Sequence, residues 1–115
     1  MPILFYPLLP DRTADKPAAQ LCRHPELESE VRRRAETAPD GRLILSLTHA
    51  ADLTVFCTET LQKRYADPAF YDCSGGVCRP LDPADPDGLA LTDAARQLTA
   101  LLWSGAERFL VRIVD

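Results

Sequence analysis

No glycine-rich phosphate loop, no internal repeat and no low-complexity tract occurs in this chain of 115 residues. The first absence removes a common way of cradling a nucleotide's phosphates, and the second removes repeat architectures. Positive charge is short as well. Thirteen Lys and Arg stand against seventeen Asp and Glu, for a formal charge of −4 and a pI near 5.1, the wrong sign for a protein that grips a phosphate backbone. Nucleic acid is therefore disfavoured as a partner. The one basic cluster, Arg32, Arg33 and Arg34, follows Glu26, Glu28 and Glu30 at helical spacings, so it reads as a neutralised, solvated face. A membrane segment is missing too. The apolar opening "MPILFYPLLPDR" has no basic leader, is broken by Pro7 and Pro10, and falls far short of the roughly 20 residues a spanning helix needs. Without an export signal the expected compartment is the cytoplasm, where thiols stay reduced.

What is present is an ordinary globular composition, 46% hydrophobic and 26% charged, which predicts one domain over residues 1–115 able to bury a core without staples or a cofactor. Residues 3–9, "ILFYPLL", predict a strand, and Pro7, lacking an N–H, pushes it toward a sheet edge. "PDRTADKPAAQ" predicts a surface loop, with a short turn of helix near residues 18–23. Residues 25–38 predict a helix, with Pro first, acids in the first turn, and Leu27, Val31, Ala35 and Ala38 on one stripe. The nearly continuous apolar run at 43–47 predicts a central strand covered on both faces. "LTVFCT" alternates well enough for a strand, yet Ala50, Leu53, Cys57, Leu61 and Tyr65 recur at helical spacing, so a helix is expected over about 49–66 with Thr48 as its N-cap.

Residues 67–91 are punctuated by proline and hold three of the five glycines, which predicts an irregular segment. Within it, "AFYDC" and "VCRPL" read as arms of a hairpin, and "DPADPDG" as an acidic connector whose spacing fails the calcium-loop pattern. A last helix is expected from a Thr92 cap to Gly105, with Ala95, Leu98, Leu101 and Leu102 inward, and "RFLVRIVD" closes the chain as a strand beside 43–47. The expected fold is α+β: a single small domain in which a mixed sheet of three to five strands packs with about three helices as a two-layer sandwich.

Four groups of residues invite chemistry. Cys73 and Cys78, across the turn "CSGGVC", could close a disulfide contributing about 2 kcal/mol, whereas a redox dithiol places two residues between its cysteines at a helix N-terminus, and here there are four and no helix. Cys22 and His24 with Cys73 and Cys78 are ligands of the right types for zinc at a poor spacing; the plainer reading makes Cys22 a small buried hydrophobe and His24 a helix cap. His49, at a strand-to-helix junction, could act as acid or base oriented by Asp52, but Thr48 and Asp52 are also explained as capping residues and no nucleophile adjoins them. Tyr65, Phe70, Tyr71 and Trp103 are either packing or an aromatic patch for a partner.

No complete catalytic set emerges. The expected function is that of a non-enzymatic interaction protein, meeting a protein partner through residues 67–91, or self-associating through first and last strands at open sheet edges. A thiol–disulfide or metal-binding protein using Cys73 and Cys78, or a small enzyme built on His49 and Asp52, is the alternative.

Overall fold

The computed structural model describes residues 2–64, 71–72, 79–80 and 84–114, and only the backbone of residues 64, 71, 72 and 80. In chain order its elements are β1 (Pro2–Leu9), β2 (Arg12–Thr13), β3 (Ala19–Cys22), α1 (Pro25–Arg34), β4 (Glu36–Thr37), β5 (Leu43–Ser46), α2 (Leu47–Arg64), β6 (Tyr71–Asp72), β7 (Arg79–Pro80), α3 (Pro86–Leu101) and β8 (Arg108–Ile113). The main sheet has six strands in the order β2-β1-β8-β5-β4, with β3 beside β2 on the same flank of β1. Every pair in it is antiparallel, so the sheet is not mixed.

Pro7 does not put β1 on an edge. The Ala14 N–H donates to the Pro7 carbonyl at 2.9 Å, and in an antiparallel strand a residue's N–H and C=O point the same way. The missing donor therefore faces the flank where β2 ends and the chain swings away, and the ladder to β8 is intact. Residues 19–22 form a strand rather than a helical turn. Ala19 and Leu21 are buried while Gln20 and Cys22 are exposed, a period of two set by pairing along β1. The outer edge of β3 is closed by a side chain: the Gln97 amide accepts from the Gln20 N–H and donates to the Gln20 carbonyl, both at 2.7 Å.

The helices follow their apolar stripes. In α1, Leu27 and Val31 are buried, and the helix stops at Arg34 because residues 36–37 turn back as β4, leaving Ala35 and Ala38 outside it. In α2 the helical spacing of Ala50, Leu53, Cys57 and Leu61 prevails, all four being fully buried, while Val55 points outward at 54% exposure. Its cap is not Thr48: the Ser46 hydroxyl accepts from the His49 N–H at 3.2 Å, and the helix starts at Leu47 with no loop after β5. The last helix starts at Pro86, so residues 86–91 are not an irregular connector and Thr92 is interior. The Asp85 carboxylate accepts from the Gly88 N–H at 3.2 Å with Pro86 in the first turn, an aspartate–proline start signal hidden in a proline-rich stretch. The hairpin arms pair as Tyr71 with Pro80 and Asp72 with Arg79, and β7 lies against α3.

All three helices pack on one face of the sheet, giving a two-layer α+β sandwich. The core joins Ile3, Phe5, Leu21, Leu45, Phe109 and Val111 of the sheet to the buried faces of the helices. Among the described residues no helix is long and apolar enough to cross a membrane.

Candidate interaction surface

Strand pairing fixes what lies on the sheet's other face, because directly opposed residues of antiparallel strands share a face. Through Leu110 of β8 runs the row Glu36, Ile44, Leu110, Tyr6; on one side Ser46 faces Arg108, with Leu8 the next position along β1, and on the other Arg112 faces Leu4, with Arg42 the residue just before β5. Leu4, Tyr6, Leu8 and Ile44 are half-buried and Leu110 is 9% exposed, yet none belongs to the main core. They form a second apolar patch that no described helix covers. β5 is therefore not the doubly covered strand its apolar run predicts: Leu45 faces the helices and Ile44 does not.

Several of the chain's charges are taken up in local ion pairs. The Arg32–Arg34 cluster is neutralised as its spacing suggests: Arg32 reaches Glu28 at 3.4 Å, and Arg33 and Arg34 reach Glu30 at 3.4 and 3.1 Å. Arg23 hydrogen-bonds Glu28 at 2.8 Å and, with Arg32, holds its carboxyl below the usual range. Arg42 pairs with Asp40 and Arg96 with Asp93. Arg108 and Arg112, both exposed, make no ion pair among the described residues, and neither does Glu36.

The residues singled out by type fall apart in space. Cys22 lies on the helix-free side of β3 opposite Pro2, whereas His24 lines a cleft of about 830 Å³ between the helices with Glu26, Phe56 and Lys63. The two do not converge, and among the described residues no cluster of three metal-ligating side chains occurs. Cys22 is exposed rather than a buried hydrophobe. His24 occupies the N-cap position of α1 but its side chain makes no capping bond, and its Nδ1 is buried with no hydrogen-bond partner among the described residues. Asp52 neither caps α2 nor orients His49; its carboxylate pairs with Arg34 of α1 at 3.5 Å. Trp103 is 85% exposed in the turn after α3. Cys73, Cys78, Tyr65 and Phe70, with most of the hairpin and of residues 67–83, lie outside the described residues, as does the side chain of Tyr71.

Among the described residues the buried thiol is Cys57, whose pKa burial pushes up to about 12, which makes it an inert packing group. Self-association through terminal strands finds no edge to use, since β1 and β8 are adjacent inner strands. Reasoning by residue type passed over Leu4, Tyr6, Ile44 and Leu110 because they look like core. The signal for them lay in counting: two apolar strand runs ask for cover on both faces, and the helices lie on only one. Comparison with protein-family models, with curated proteins and with solved structures finds no match for this chain, so the surface is read from its own chemistry.

Proposed function

We propose that this is a non-enzymatic interaction protein whose contact surface is the helix-free face of the sheet. One observation carries the reading: β1 is apolar on both faces, Ile44 of β5 and Leu110 of β8 widen its helix-free side, and the described helices cover only the other. Strands of that composition are ordinarily buried on both sides. Side chains already half-buried gain only about 1 kcal/mol each on full burial, against an association cost of about 4–15 kcal/mol, so the patch suits a reversible contact of modest affinity. Residues 67–91, the contact segment the sequence suggests, lie largely outside the described residues, and their described part from Pro86 onward is helix rather than irregular.

The test places a photo-activated cross-linking residue at position 44, on the open face, or at position 55, on the exposed side of α2, in the producing cells. Protein adducts at 44 and few at 55 are expected. Equal yields at the two positions, or none at 44, would refute the reading.

A further inference from the structure

The same face also carries an argument about what covers it, and this step rests on the contact-surface reading. Leu110 stands at its centre. Arg108 and Arg112 lie two residues to either side in the same strand, at about 6.8 Å, and Glu36 lies two strands away in the same row, at about 9.6 Å. Among the described residues these are the charges of the face without an ion pair, two positive and one negative.

If two copies met face to face about an axis along the strands, each arginine would lie over itself; an axis across the strands would lay Arg108 over Arg112. Both stack like charges. An axis along a diagonal lies about 35° from the strands at these spacings and so crosses the strands of the two copies at about 70°, nearer to the orthogonal than to the aligned way sheets pack. Of the two diagonals, the one through Leu8 and Leu110 passes through Arg42 and sets it against itself. The other runs through Ser46, Leu110 and Leu4, with no charge on the axis. It brings Glu36 over Arg108 of the other copy, within a side chain's reach, and lays Arg112 across the other copy's Tyr6 ring, a favourable cation–aromatic contact. Each of these charges then has a partner, twice over by symmetry.

We propose that the occupant of the sheet face is a second copy of this chain, packed with strands crossed about a two-fold axis along Ser46, Leu110 and Leu4. Such a contact is self-complementary and closes at two copies.

Sedimentation equilibrium from micromolar to millimolar chain is the test, with three variants at exposed positions that spare the core. The wild type should be a reversible monomer–dimer. Glu36→Arg and Arg108→Glu, each placing like charges together, should each raise the dissociation constant on the order of tenfold, and the double variant should return to near the wild-type value. A wild type that stays monomeric throughout, or assembles beyond a dimer, overturns the proposal, as does a double variant no tighter than the singles. The contact-surface reading is judged separately: cross-linking at position 44 to a different protein, with a monomeric wild type, removes the second copy and leaves that reading standing.

Discussion

Ile44 and Leu45 are neighbours in β5, both apolar, and they sit in different worlds: Leu45 is fully buried beneath the helices, while Ile44 is half-buried on a face that no described helix covers. The same division runs through β1, where Ile3 and Phe5 belong to the core and Leu4 and Tyr6 do not, and through β8, where Phe109 and Val111 do and Leu110 does not. Composition along the strand is blind to this difference. Which side a residue occupies follows from the pleat, and whether that side is covered follows from where the helices return. One face holds the fold together, and the other contributes a surface.

The comparison is broken most decisively by truncating its two sides in turn. Leu45→Ala removes a fully buried side chain and should cost about 2–5 kcal/mol, whereas Ile44→Ala should cost under about 1.5 kcal/mol in the monomer, since part of that side chain is already in water. Urea unfolding at low micromolar concentration reads both, and similar losses would mean that the second face is core after all.

The two described thiols sharpen the contrast. Cys57, under the helices, has its folded value raised from 9.0 to about 12 by burial. The folded chain keeps this proton where the unfolded chain would release it, so stability is fully present below pH 9, falls as pH rises toward 12, and loses up to roughly 1.4 kcal/mol per pH unit through this group. Unfolding followed from pH 8 upward should show a shallower decline in Cys57→Ala than in the parent. Cys22, exposed on the open side, should react with a thiol reagent in the native protein, so that Cys22→Ser lowers the rapid thiol count by one and Cys57→Ser leaves it unchanged.

The smallest effect is expected at the rim. Arg112→Ala removes an exposed guanidinium with no ion pair among the described residues, so monomer stability should move by no more than about 0.5 kcal/mol. A larger loss would show that Arg112 serves the fold rather than the surface.

Elements with a strong period were legible from the sequence alone. The stripe from Ala50 to Leu61 outweighed the strand-like "LTVFCT", and the apolar strands at either end of the chain formed as expected. Starts and edges were less legible because they turn on single atoms. The cap of α2 is Ser46, two residues before Thr48, because the helix follows the strand with no loop; Pro7 sits in an inner strand because its missing N–H points where no partner is needed. The candidate surface was hidden for another reason. Leu4, Tyr6, Ile44 and Leu110 match core residues in type and spacing, and only the placement of all three helices on one side sets them apart.

The clasp between Gln97 and Gln20 makes β3 a gauge of the layer above it. The Gln20 amide hydrogen is held by a side chain that belongs to α3, so its exchange with solvent reports how often that clasp opens, by rotation of Gln97 or by movement of its helix. One backbone proton at the rim thus reads the state of a side-chain link between the two layers.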